Sequence, residues 1–148
     1  MELFRISNKD YANELYAPGF SGRWNNAGQK VIYTASSRSL ACLEIIVQAN
    51  RQIKTAQFGT MVVYAPDNSS VQQVNISQLS VEWNQTVFSE ECKSIGSEWF
   101  LKKKDLLLRV PSAVIPDEFN YVINTLHPDF KSIKLVDVLP FYFDKRLG

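Results

Sequence analysis

Short runs rich in β-branched and aromatic residues recur along the chain, and only two stretches carry helical spacing. Residues 2–6 read as a short opening strand. Residues 30–35, Lys-Val-Ile-Tyr-Thr-Ala, read as a second strand, and residues 57–64, Gln-Phe-Gly-Thr-Met-Val-Val-Tyr, as another. Residues 71–76 alternate apolar and polar positions, as a half-buried strand does. Residues 106–110, Leu-Leu-Leu-Arg-Val, are almost continuously apolar and predict a central strand stopped by Pro111. Residues 113–124 hold a turn and a further short strand. Residues 132–138 form a last strand, extended by Phe141, Tyr142 and Phe143 beyond Pro140. Helical spacing appears at Leu40, Leu43, Ile46 and Val47, behind a cap at Ser36 or Ser37. A second helix is predicted over 94–104, its closing lysines suited to a helix C-terminus. Residues 77–94 lack a clear period, and Trp83, Val87 and Phe88 are expected to pack there as a short segment. Strands outnumber helices without alternating with them. The predicted class is α+β, with a largely antiparallel, split β-sheet core and flanking helices.

Composition narrows this picture. A chain of 148 residues fits one domain and buries a core without staples. A net charge of +1 argues against a general polyanion binder. Two cysteines, Cys42 and Cys92, make no disulfide framework, and one histidine without a Cys-x-x-Cys pair argues against a structural zinc. The first residues, Met-Glu-Leu-Phe-Arg-Ile-Ser, do not read as a secretory signal. No apolar run approaches the roughly 18 residues of a membrane span. A cytoplasmic protein without membrane contact is expected.

The candidate chemistry concentrates in residues 21–47, a glycine-bracketed loop followed by a strand and a helix. Arg23 lies in the loop between Gly22 and Gly28. Its planar fork of donors suits a phosphate or pyrophosphate, and it equally suits backbone carbonyls. Trp24 beside it reads as a core anchor. Tyr33 in the strand either packs or offers a ring and hydroxyl to a ligand. Glu44 flanks the apolar stripe of its helix, so its carboxylate either reaches water or points into a cleft. Ser112, after Pro111, is a turn serine or a residue that orients a ribose hydroxyl or carboxamide. No general base stands near it, so a serine nucleophile has no support. Ser97 is a weaker alternative that reads as a helix-start residue, and His127, in a loop before Pro128, forms no triad with any group nearby. Neither a Walker motif nor a GxGxxG fingerprint occurs.

In order along the chain stand Gly22-Arg23-Trp24-Asn25, Val31-Ile32-Tyr33-Thr34, Leu40-Ala41-Cys42-Leu43-Glu44, Arg109-Val110-Pro111-Ser112-Ala113, Asn120-Tyr121 with Asn124, His127-Pro128, and Phe143-Asp144-Lys145-Arg146-Leu147. This ordered set resembles the RES-domain family, toxins of bacterial toxin–antitoxin pairs, over residues 1–148. Thr125 departs from the proline expected after Asn124. The resemblance implies an ADP-ribosyltransferase-like fold with NAD+ as substrate and no prosthetic cofactor. It implies cleavage of the nicotinamide–ribose bond by hydrolysis or phosphorolysis, with Glu44, Arg23, Tyr33 and Ser112 carrying catalysis. Arg23, Tyr33 and Ser112 are then the NAD+-binding residues. The implied partner is an Xre-type helix-turn-helix antitoxin, with a toxin homodimer inside a larger complex and no direct nucleic-acid contact. Two rivals share these residues: an ADP-ribosyltransferase with a macromolecular acceptor, and a binding module without turnover. A weaker third is nucleic-acid binding through Lys102, Lys103 and Lys104.

Overall fold

A computed structural model describes residues 1–48, 57–85 and 89–147. Its elements run β1 (Glu2–Asn8), β2 (Val31–Ala35), α1 (Arg38–Gln48), β3 (Phe58–Tyr64), β4 (Val71–Gln73), α2 (Glu90–Lys102), β5 (Leu107–Pro111), β6 (Phe119–Asn124) and β7 (Lys134–Phe141). The strands form one sheet in the order β4-β5-β6-β2-β1-β3-β7. Every neighbouring pair is antiparallel except β4 and β5, which run parallel. The sheet is nearly two sheets. Strand β1 pairs with β3 along its whole length, and β2 pairs with β6 along its whole length. The two halves meet through the Phe4–Ala35 pair. This is the expected α+β class with a split, largely antiparallel core.

The two-residue period of the strands sorts the core. Leu3, Ile32, Met61, Val63, Leu107 and Ile123 share one buried cluster. Their sequence neighbours point the other way. Val31, Leu108 and Val122 pack with Cys92, Trp99 and Phe100 of α2. Phe4, Ala35 and Val62 pack with Leu40 and Ala41 of α1. Each half of the sheet therefore carries its own helix on the same face, and the split lies between them.

Several boundaries differ from expectation, each for a local reason. Strand β4 ends at Gln73: the Val74 N–H makes a last bond to the Arg109 carbonyl of β5, and the chain then enters a 3-10 turn at Ile76–Gln78. Helix α2 begins at Glu90, four residues early, because Ser89 caps it through the Cys92 N–H. Pro111 sits inside β5 as its last residue. It pairs with Phe119, and β4 has ended by then, so its missing N–H faces no strand. Pro140 likewise sits inside β7, an edge strand. Trp83 is buried. Val87 and Phe88 lie outside the described residues.

Candidate active site

The site grows from the loop before β2. Gly22 and Asn25 form an isolated antiparallel bridge that folds the loop back on itself. Asn25 is wholly buried and its side chain donates to the carbonyls of Phe20, Asn26 and Gln29. The Tyr33 hydroxyl donates to Asn25 Oδ1 at 2.5 Å and accepts the Trp24 N–H at 3.0 Å. Gly22 is required here, since a Cβ at that position would stand 2.6 Å from the Tyr33 oxygen. Helix α2 presses on the same loop. A Cβ on Gly96 would overlap the Trp24 carbonyl at 1.6 Å. Trp24 itself is buried among the residues of α2 and the sheet, the core anchor its sequence context suggests.

Arg23 emerges from this braced loop. Its guanidinium donates to the carbonyl of Trp83 at 2.7 Å and to that of Gln85 at 3.0 Å. Tyr33 lies half-buried below it, and burial pushes its phenol above the ordinary tyrosine range. The Trp24 N–H and the charges of Arg23 and Arg5 act in the opposite sense, more weakly. The phenol is therefore neutral in the physiological range.

Glu44 and Ser112 meet, 68 positions apart in sequence. Ser37 starts α1 by accepting the Leu40 N–H, and the helix buries Leu40 and Ala41 against the sheet. That seats Glu44 over the end of β5 and the start of β6. Its Oε1 accepts two hydrogen bonds, from Ser112 Oγ at 2.7 Å and from Asn120 Nδ2 at 2.8 Å. Ser112 is completely buried, and its oxygen also accepts the N–H groups of Val114 and Ile115. Where the sequence suggested a direct contact to ribose, the structure gives Ser112 a grip on Glu44.

A recess of about 70 Å³ opens beside Glu44, lined by Phe4, Tyr33, Ala41, Ile45 and Asn120 among others. It lies where β1 and β2 part. Arg5 of β1 also lines it and donates to the Tyr33 carbonyl at 2.9 Å across the gap. Burial lowers the Arg5 guanidinium from its ordinary value, yet an arginine stays cationic in a protein. The sequence reading missed Arg5, which stands between two apolar residues and looks like an outward-facing strand position. Asn120 was noticed as part of a motif, without a role. Ser97 bonds Gln29 on the far side of the loop, and His127 caps the turn at Pro128–Ser132. Neither lines the recess.

A family model described as the RES domain matches residues 2–144. The chain belongs to the RES-domain family. It is 35% identical over 152 residues to Toxin Res of Photorhabdus laumondii, covering 99% of this chain and 97% of that protein. It is 36% identical over 128 residues to the Prs ADP-ribosylating toxin of a Sphingobium species, covering 85% and 80%. Among solved structures it superposes on a chain of the M. tuberculosis MbcT–MbcA toxin–antitoxin complex with a TM-score of 0.78. That match covers 95% of this chain and 83% of the other at 15% identity, so it speaks for the fold. This chain thus shares the fold of that solved chain. Its own named residues fall in two groups: Glu44, Ser112, Asn120 and Arg5 around the recess, and Arg23 with Asn25 in the braced loop, joined through Tyr33.

Proposed function

We propose that this protein is the toxin of a toxin–antitoxin pair and that it consumes NAD+ by breaking the nicotinamide–ribose bond. One observation carries the chemistry: a glutamate fixed by two donors on one oxygen, beside a half-buried arginine, in a cleft at the split of the sheet. The relative named Toxin Res supports the toxin role, and the one named an ADP-ribosylating toxin supports ADP-ribosyl chemistry, for which NAD+ is the donor. With Oε1 held by Ser112 and Asn120, Oε2 of Glu44 is left to act on a ligand. Cleavage of the C1′–N bond sends its electron pair to the pyridinium nitrogen, and neutral nicotinamide leaves. The ribose becomes oxocarbenium-like, as in glycoside cleavage. A fixed carboxylate next to that carbon stabilises the charge without reorganising. Water then adds at C1′ and loses a proton, or phosphate adds in its place.

The other residues take supporting roles in this reading. Tyr33 presents its ring to the nicotinamide, while its hydroxyl keeps the loop in place. Arg5 and Arg23 supply positive charge for the pyrophosphate. Arg23 approaches an anion by trading one of its carbonyl bonds to Trp83 or Gln85. The partner is an antitoxin of the Xre type that neutralises the toxin, and the toxin is a homodimer within that larger complex.

The test is direct. Partner-free protein is incubated with NAD+, with and without phosphate, and products are separated by chromatography. Nicotinamide and ADP-ribose in plain buffer identify a glycohydrolase; a phosphate requirement identifies a phosphorylase. The name of the Sphingobium relative favours a second reading, transfer of ADP-ribose to a macromolecule. Under it, mass spectrometry finds modified acceptors and little free ADP-ribose. Intact NAD+ with no modified acceptor would sink both.

A further inference from the structure

Asn120 sits at the second position of β6, next to the recess. An ionised Glu44 only accepts hydrogen bonds. The amide nitrogen of Asn120 must therefore be the atom that faces it, as found at 2.8 Å. This fixes where the amide oxygen goes. Asn120 Oδ1 is buried and has no hydrogen-bond partner within the protein. A buried acceptor left without a donor costs about 1–3 kcal/mol, and native proteins rarely leave one without a reason. The other orphan among the described residues, the Trp99 indole nitrogen, belongs to α2 and lies in the core cluster between that helix and the sheet. Asn120 alone of the two borders the recess.

Resting on the reading of the cleft as an NAD+ site, we propose that Asn120 is a substrate-reading residue. Its Nδ2 fixes Glu44, and its Oδ1 accepts a hydroxyl of the nicotinamide ribose. Glu44 Oε2 and Asn120 Oδ1 then form a pair of acceptors on adjacent elements, one on α1 and one on β6. A vicinal cis-diol offers two neighbouring donors, and each would satisfy one acceptor. A sugar lacking one hydroxyl leaves one acceptor empty. The site thus selects ribosides over their deoxy forms through a neutral amide as well as through the carboxylate.

The experiment is a cycle of wild type and Asn120→Ala against NAD+ and its analogues lacking the 2′ or the 3′ hydroxyl on the nicotinamide ribose. It is read as kcat/KM for nicotinamide release, and separately as the Kd of ADP-ribose and its matching deoxy forms by calorimetry. Wild type is expected to disfavour both deoxy analogues by about tenfold or more. In Asn120→Ala the penalty for one of the two hydroxyls collapses to within about threefold, while the other, read by Glu44, persists. A residue with only a structural role lowers all ligands together and preserves both penalties, and that result overturns the proposal. Asn120→Asp supplies a second readout. It keeps an acceptor but sets a carboxylate against Glu44, so the two share a proton and the acid limb of the pH–rate profile moves upward. An unmoved acid limb counts against contact with Glu44 in the working enzyme. If wild type binds ADP-ribose with this discrimination yet leaves NAD+ intact, the cleavage reading fails and the assignment of Asn120 stands. If neither nucleotide binds, the assignment falls with it.

Discussion

At the scale of single residues, the site depends on one carboxylate held by two neutral donors. Glu44→Gln keeps the shape but removes the charge that stabilises an oxocarbenium, so NAD+ binding should persist while turnover falls by about 10²–10³-fold. Calorimetry for binding and nicotinamide release for turnover check the two halves, and near-normal turnover by a folded variant removes Glu44 from the chemistry. Tyr33 makes a prediction about pH. Burial raises its phenol above the unfolded value of 10.0. Above that value the unfolded chain releases the proton and the folded chain keeps it. The contribution is therefore intact below pH 10 and declines as pH rises beyond it. Relative to Tyr33→Phe, the wild type should lose stability more steeply there, by up to about 1.4 kcal/mol per pH unit. Parallel urea-unfolding curves for the two proteins would refute this. These residues were partly legible in the sequence. Arg23, Tyr33 and Glu44 stood out because three strong groups fell within a short stretch. The contact of Glu44 with Ser112 and Asn120 was not legible, since it is made by β5 and β6 arriving from far along the chain. Arg5 stayed hidden because nothing in Phe-Arg-Ile reveals that the neighbouring strand departs from it.

At the scale of elements, α2 governs the Arg23 loop although it contributes nothing to the recess. Its Gly96 lies against the Trp24 carbonyl, where even one methyl group has no space. Gly96→Ala should push the helix and loop apart, costing about 1–3 kcal/mol and lowering activity more than stability alone explains. Thermal melts with assays at a temperature where the variant is fully folded separate the two effects. The same helix ends at Lys103, a non-glycine residue in the left-handed region with φ 52°. Lys103→Gly relieves that conformation and should raise Tm by a few degrees. A lowered Tm would mean that the lysine side chain contributes more than its backbone costs. Sequence spacing found the helix but placed its start late. The glutamates before Cys92 look like surface charge until Ser89 is recognised as the cap that they follow. Strand β5 was legible through its unbroken apolar run. Its end was not, because a proline stops a strand only where a neighbour needs the N–H, and β4 had already ended.

At the scale of the whole molecule, a seven-stranded open sheet must manage two edges. One edge, β4, is only three residues long. The other, β7, is eight residues long and exposes Val136 and Leu139, a ready template for pairing with another chain. Three features blunt it. The register with β3 shifts between Val62 and Val63, leaving Val136 as a bulge. The Asp137 carboxylate accepts the Val138 N–H, so that donor is occupied by its own neighbour. Pro140 removes a further N–H two residues on. The sequence announced a strand here and a proline within it, but the bulge and the carboxylate cap depend on the register with β3. These guards block open-ended edge-to-edge pairing and leave other surfaces to a partner or a second copy. Asp137→Val combined with Pro140→Val restores two strand donors and replaces a charge with a β-branched side chain. Both positions are exposed, so the unfolding midpoint at low concentration should stay within about 1 kcal/mol of wild type. The same protein should self-associate as concentration rises, seen by light scattering after size exclusion, while wild type keeps its elution position. Should the double variant elute and scatter like wild type at every concentration, the edge is protected by something other than these residues.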